Sequence, residues 1–300
     1  VLVAEADEER GTADVGMSWL VRERTELIRA DFALNEGGGT LLELADGRRV
    51  VTVSVGEKIV SALRIRIHGV AGHASVPDGA DNPLRHLAAA VDGLLAAAPP
   101  PRMTPALARA LDALAVGAGS DEERIARARR LHPRLTDLIP PMTRMTVTPT
   151  GTSSHEPSNV IPPFVDLNCD CRLLPGEGEE EIRDHVARAL GDGFRYELEL
   201  REPLVGGTES AIDTPLYEAI EDYVGERLPG ALLLPLITPG FSDSHWVRRE
   251  LGTVAYGFAP VLHMDPAAYF AGAHGADEAL DVEDLAEMTG FHLRVARTLA

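Results

Sequence analysis

Only two cysteines occur in 300 residues, Cys169 and Cys171. They stand two apart in a strand-like run, where side chains share a face but are poorly placed to bond each other, and no second pair exists for a zinc knuckle. Both read as reduced thiols in or near a core, which fits a cytoplasmic setting. No apolar stretch approaches the length of a membrane span, and no signal peptide is visible. Positive charge is scarce: 28 Lys and Arg against 47 Asp and Glu leave a net charge of −19. That balance argues against nucleic acid and against an anionic membrane surface as partners. H-E-x-x-H, Walker A, G-x-S-x-G and a complete dinucleotide fingerprint are all missing, and the glycines at 37–39 lack the lysine of a phosphate loop. There are no tandem repeats and no low-complexity tail. What is present is an ordinary globular composition, 45% hydrophobic, long enough for one large domain or two moderate ones.

The apolar and polar patterning predicts a discontinuous architecture. Residues 1–6 read as a strand, 15–30 as a helix, and 31–34 as a second strand running into Glu36 and a flexible glycine turn. Residues 50–55 alternate Val with Thr and Ser, as a half-exposed strand would. From about residue 60 the order becomes strand, helix, strand, strand, helix, strand, a ferredoxin-like split βαβ unit. Its elements are 62–70, 83–97, 144–149, 165–174, 177–190 and 194–200, with a helical insertion at about 101–138. After residue 203 the α/β alternation resumes: helix 216–228, strands 232–237 and 254–258, and a terminal helix 281–299 with Asp281 as N-cap. The expected division is therefore an α/β domain from 1–59 and 204–300, interrupted by a smaller α+β domain at 60–203.

Several polar residues stand where chemistry is usually placed. Glu8, Glu9 and Glu36 follow apolar strand-like runs and precede glycine, and successive strand ends of an α/β sheet face one crevice. Adjacent carboxylates suit a metal centre that needs both a ligand and a proton shuttle. In a chain with 47 acidic residues, the competing reading is solvated loop acids. His274 lies in a loop beside glycine, and His73 follows a strand among small residues. The other histidines have no comparable setting. Arg172 near the end of a strand could clamp a carboxylate, or simply pair with nearby acids. Asn159 opens a turn into that strand, and Asp243 is a loop acid after another.

These segments, in order, are A-D-E-E-R-G (6–11), L-N-E-G-G-G (34–39), G-V-A-G-H-A-S-V-P (69–77), N-V-I-P (159–162) with C-R-L-L-P-G (171–176), and A-H-G-A-D-E (273–278). Together they resemble the di-zinc family of aminoacylase, acetylornithine deacetylase, succinyl-diaminopimelate desuccinylase and glutamate carboxypeptidase. The resemblance runs over essentially the whole chain. It implies a mixed-sheet α/β catalytic domain of zinc-exopeptidase type, interrupted by a ferredoxin-like lid that dimerises. It also implies roles: Glu8 as general base, and Glu9, Glu36 and His274 as zinc ligands. His73 would polarise the scissile carbonyl, reaching the partner subunit's site in a homodimer. Arg172 would hold the substrate carboxylate, with Asn159 near the substrate.

The family pattern also has an upstream His-x-Asp motif and an aspartate bridging both metals, which this sequence does not contain. Three of the five protein ligands are accounted for. The sequence begins with Val rather than Met, so its start reads as a cut end, and this chain alone is expected to be inactive. The activity so implied is metal-assisted hydrolysis of an amide bond next to a free carboxylate, in an N-acyl amino acid or a small peptide. Two Zn2+ per subunit would serve it, with Co2+ or Mn2+ as alternatives. The competing hypothesis is a non-catalytic dimerisation or binding module that has lost its metal site.

Overall fold

The computed structural model describes residues 1–6, 8, 15–154 and 156–299. It divides the chain into two units. One comprises Val1–Lys58, Pro101–Thr143 and Thr208–Ala300; the other comprises Ile59–Pro100 and Arg144–Gly207. Numbered in chain order, the strands of the first unit are β1 (Phe32–Asn35), β2 (Leu41–Glu43), β3 (Arg49–Glu57), β11 (Leu232–Thr238) and β12 (Val254–Gly257). Those of the second are β4 (Ile59–His68), β5 (Gly72–His73), β6 (Thr146–Ser153), β7 (Val160–Ile161), β8 (Phe164–Leu173), β9 (Tyr196–Leu200) and β10 (Val205–Gly206).

The first unit is built on a mixed sheet in the order β1-β12-β3-β11, with β2 also on β3. β1 runs parallel to β12 and β11 parallel to β3, while β12 and β2 run antiparallel to β3. β3 is buried along nearly its whole length, not half-exposed as its Val/Thr/Ser alternation suggested. Its inner position explains this, because both faces of a central strand are covered. Its polar residues are internally satisfied: Thr52 Oγ1 accepts the Thr40 N–H at 3.1 Å, and Ser54 Oγ lies 2.6 Å from Thr238 Oγ1.

Residues 1–6 form no strand, and Val1 and Leu2 are exposed. A strand exists only by pairing, and no strand of this sheet pairs with them. Residues 15–30 make two short helices, Gly16–Glu23 and Thr25–Ile28, broken where Arg24 leaves helical geometry at φ −142°, ψ 39°.

The stretch read as an insertion in the smaller domain belongs to the first unit. Helix Pro105–Ala113 buries Ala106, Leu107, Ala110 and Leu111, a stripe at helical spacing, and packs against β11. Its apolar face joins the core formed with β3, helix Pro215–Arg227 and helix Val282–Leu299. The observed boundaries fall at Lys58/Ile59 and Gly207/Thr208.

The second unit matches the ferredoxin-like expectation. Its four main strands lie in the order β9-β4-β8-β6, all neighbours antiparallel. β4 alternates buried and half-buried residues over its ten positions, so one face meets the core and the other stays polar. Helices Pro83–Ala96 and Glu179–Leu190 contribute Ala90, Leu94, Ile182, Val186 and Leu190 to that core. Asn82 caps the first helix by accepting the Leu84 N–H. Cys169 and Cys171 are buried, unbridged thiols in β8, and burial pushes each up to about 12.

Candidate active site

In the first unit, the ends of β1, β3 and β11 bring acidic residues together. Glu36 follows β1 directly, and its place is fixed by the glycines after it. A Cβ on Gly38 would lie 2.3 Å from the Gly257 carbonyl oxygen, and one on Gly39 would lie 1.9 Å from that of Ala259. Gly39 also sits at φ +102°, a region that favours glycine. The turn is thus pressed onto its neighbours rather than loose. Asn35 adds a tie, its Nδ2 donating to Ser244 Oγ at 3.3 Å across to the helix Ser244–Leu251.

Asp243 is the N-cap of that helix, yet its carboxylate makes no capping bond. Instead it is 6% exposed and faces acids. Burial first, then a contact with Glu5 and the charges of Glu5, Glu8 and Glu36, push its carboxyl up to about 8. Among the described residues, Asp243 Oδ2 and Glu5 Oε2 are both buried without a donor. Two ionised carboxylates only accept; a shared proton lets one bond the other, and a cation would satisfy both.

Of the expected site residues here, Glu8 is half-buried in a turn and Glu36 is exposed. His274 is exposed in a turn at φ +60°, five residues after Tyr269. The Tyr269 phenol is raised by burial and then by the charges of Glu278, Glu36 and Asp284. Glu9 lies outside the described residues.

Carboxylate oxygens left without donors, with an imidazole on the same unit, have the donor chemistry of a divalent cation. Among the described residues, however, no three His, Cys, Asp or Glu side chains are arranged to hold one ion.

Beside this group runs a buried ion pair that the sequence did not announce. Glu57, 1% exposed, accepts the Thr208 N–H at 2.9 Å and the Thr208 hydroxyl at 2.6 Å, and pairs with Arg248. Arg248 also donates to Ser210 Oγ and the Ala255 carbonyl, each at 3.1 Å. Burial raises the Glu57 carboxyl and lowers the Arg248 guanidinium, each opposed by the other's charge. His245 lies one turn before Arg248, its Nδ1 3.8 Å from Glu57 Oε1. Both its ring nitrogens are buried without a hydrogen-bond partner among the described residues. Burial and the charges of Arg249 and Arg248 push it down to about 4, so it is neutral.

The second unit holds the other expected residues. The short ladder of β5 with β7 sets His73 opposite Val160, and the Ala74 N–H donates to the Asn159 carbonyl at 2.9 Å. His73 and Asn159, 86 positions apart by their numbers, thus share one exposed edge. The Ser75 N–H meets His73 Nδ1 at 3.2 Å, with the Ser75 hydroxyl 2.7 Å from the same atom. An Nδ1 that accepts an N–H puts the neutral ring's proton on Nε2. His73 therefore offers an outward N–H donor.

Arg172 stands elsewhere. It pairs in register with Val60 and Thr146, near the opposite end of β8 from Phe164. Its fork is bidentate on Asp170, at 2.8 and 3.0 Å, so an incoming carboxylate must compete with that acid.

Residues 55–196 match the family described as the peptidase dimerisation domain. Among curated proteins, the chain is 21% identical to the probable carboxypeptidase S-like 2 of Dictyostelium discoideum over 92% of its own length and 54% of that protein's. It therefore spans about half the length of this relative. Among solved structures, an M20 family metallo-carboxypeptidase from Sulfolobus solfataricus aligns with a TM-score of 0.62 at 14% identity, over 97% of this chain and 68% of that one. Human carnosine dipeptidase 1 aligns with a TM-score of 0.54 at 14% identity, over 97% and 64%. The chain shares the fold of these metallopeptidases, and residues 55–196 match the peptidase dimerisation domain.

Proposed function

We propose that this chain belongs to a metal-dependent hydrolase that cleaves an amide bond next to a free carboxylate, in a small peptide or an N-acyl amino acid. The observation that carries the reading is the convergence of Glu8, Glu36 and Asp243 at one edge of the first unit's sheet. The match of residues 55–196 to a peptidase dimerisation domain supports it. Its structural relatives, a carboxypeptidase and a dipeptidase, favour a substrate with a free carboxylate.

In this reading Glu9, Glu36 and His274 hold divalent metal, with zinc first and cobalt or manganese as alternatives. The metal, when bound, supplies Lewis acidity that makes water nucleophilic near neutral pH. Glu8 accepts the proton of the attacking water and delivers it to the leaving amine nitrogen. The His73 Nε2–H donates to the carbonyl oxygen as negative charge develops there. Arg172 exchanges Asp170 for the substrate carboxylate and so fixes the register of the scissile bond.

The second unit's geometry favours a homodimer. Phe164 and Arg172 are eight residues apart on β8, roughly 26 Å at strand rise. His73 and Asn159 stand at the Phe164 end. A single pocket meets both sets when a second copy of the chain supplies one of them.

A second reading is a dimerisation or binding module without catalysis. Two facts favour it: no metal-holding trio exists among the described residues, and the Arg172 fork is already engaged. The discriminating experiment measures amine release from dipeptides and N-acyl amino acids by the protein expressed from its own gene, with and without a chelator. Chelator-sensitive turnover that Glu8→Ala abolishes supports hydrolysis; a protein that binds no metal and turns over none of these substrates supports the module.

A further inference from the structure

The segment that leads to His274 starts out tied to the turn that carries Glu36. The Phe258 N–H donates to the Asn35 carbonyl at 2.9 Å, Ala259 to Gly38 at 3.1 Å and Val261 to Gly39 at 2.9 Å. The Leu41 N–H returns to the Val261 carbonyl at 3.1 Å. Glu36 lies inside this ladder, so residues 258–261 are placed by the same bonds that place it. Past Val261 the backbone ladder gives way to a side chain. The N–H groups of Leu262, His263 and Met264 all donate to the Asp284 carboxylate, at 2.6, 2.9 and 2.8 Å.

Asp284 is 0% exposed, in the first turn of the terminal helix Val282–Leu299. That helix meets the segment at a second point, where the Phe291 and Phe258 rings lie 4.8 Å apart. Three converging N–H groups suit a carboxylate, whose two oxygens offer about four lone-pair sites, and it accepts such bonds more strongly than a neutral oxygen does. Beyond Met264 the chain stays engaged. Asp265 caps the helix Pro266–Gly272 by accepting the Ala268 N–H at 2.9 Å. The Arg134 guanidinium stands 4.0 Å over the Phe270 ring of that helix. The Gly275 N–H donates back to the Gly272 carbonyl at 2.8 Å, closing the turn in which His274 sits at φ +60°. The run from Met264 to His274 is thus held at its start, middle and end, and Asp284 is the junction between it and the Glu36 ladder.

We propose that Asp284 is a positioning residue of the candidate site: by gathering the N–H groups of Leu262, His263 and Met264, it sets where His274 stands relative to Glu36. That His274 and Glu36 serve a metal-dependent hydrolysis rests on the function proposed above. The hold of Asp284 on the segment does not, so its test reads backbone opening and metal affinity instead of turnover.

Amide hydrogen exchange is followed residue by residue in chelator, on the protein expressed from its own gene, for wild type, Asp284→Asn and Val224→Ala. Asn keeps one accepting oxygen for three donors. Val224 is buried in the helix Pro215–Arg227, and its truncation lowers stability with the Asp284 carboxylate intact. Compared at equal global stability, Asp284→Asn is expected to exchange at Met264 and Gly275 at least tenfold faster than Val224→Ala, with Gly39 unchanged. Identical patterns in the two variants, or loosening that stops before Gly275, would overturn the proposal. Zn2+ affinity, titrated on the same proteins, is expected to be at least tenfold weaker in Asp284→Asn than in Val224→Ala, as for lost outer-shell support. Equal affinities would overturn it too. If Asp284→Asn does not fold, wild-type exchange decides: Met264 and Gly275 opening together support it, and Gly275 exchanging freely beside a protected Met264 overturns it. The expected exchange in a protein that binds no Zn2+ would remove the metal reading and keep the positioning; Zn2+-dependent hydrolysis with identical exchange patterns would do the reverse.

Discussion

Ser75 holds one side of the His73 ring, its N–H and hydroxyl meeting Nδ1 at 3.2 and 2.7 Å. That leaves Nε2–H as the donor a developing oxyanion would use. His73→Ala should lower kcat by roughly 10²–10³-fold, the usual cost of removing one oxyanion donor. Ser75→Ala keeps the backbone N–H and should cost less, on the order of tenfold, in line with lost outer-shell support. Steady-state kinetics on a dipeptide checks both; undiminished kcat in His73→Ala would remove the histidine from the site.

The turn that carries Glu36 depends on absent side chains. Gly39→Ala would drive a Cβ against the Ala259 carbonyl at a φ of +102°, whereas Gly47, at φ +83°, has nothing within 4 Å. Gly47→Ala should therefore cost about 1 kcal/mol, the strain of the left-handed conformation alone. Gly39→Ala should cost several times more, because backbone must move. Equal costs in urea unfolding would mean that the turn is not pressed on β12 and β3.

Asp243 makes stability depend on pH in a defined direction. Its carboxyl is raised to about 8, well above the usual carboxylate value, chiefly by burial. A group raised in the folded state binds its proton more tightly there than in the unfolded chain, so stability falls as pH rises between the two values. In chelator, the melting temperature should fall as pH climbs from about 4 towards 8, and Asp243→Asn should flatten that slope. A wild-type curve unchanged by Asp243→Asn would contradict the burial of this acid among others.

The Glu57–Arg248 pair has both members buried and shares its oxygens with Thr208. Removing one partner leaves the other charge uncompensated, so Arg248→Ala should destabilise by about 3–5 kcal/mol. Glu57→Gln/Arg248→Met, which removes both charges, should recover part of that loss. Denaturant unfolding of Arg248→Ala, Glu57→Gln, Arg248→Met and the double variant is the measurement; a double variant as unstable as the sum of Glu57→Gln and Arg248→Met would deny the pairing.

Much of this was legible in the sequence where periodicity and turn chemistry speak locally. The alternation of 62–70 became β4, and the helical run 83–97 became the helix Pro83–Ala96. The order of elements in the second unit became the observed sheet. What failed depended on tertiary partners. Residues 1–6 have strand composition but no ladder to join. The Thr and Ser of β3 looked exposed because their partners, Thr40 and Thr238, are remote in sequence. Helix Pro105–Ala113 interrupts the second unit in sequence, but its buried stripe belongs to the core of the first.

The site shows the same division. Motif order placed Glu8, Glu36, His73 and Asn159, and the structure sets Glu8 with Glu36, and His73 with Asn159. Asp243 had only its position after a strand to mark it. Glu5 had no signal, since a carboxylate becomes significant by losing its donors, which a sequence does not record.

The proposed role of Glu8 is that of the base in a metal-dependent hydrolysis. It is tested most directly by Glu8→Ala in the protein expressed from its own gene. Amine release from a dipeptide and bound metal are measured on the same samples. Turnover is expected to fall by at least 10²-fold, with metal content unchanged. Turnover that persists in Glu8→Ala, or metal lost along with it, would contradict the assignment of the base.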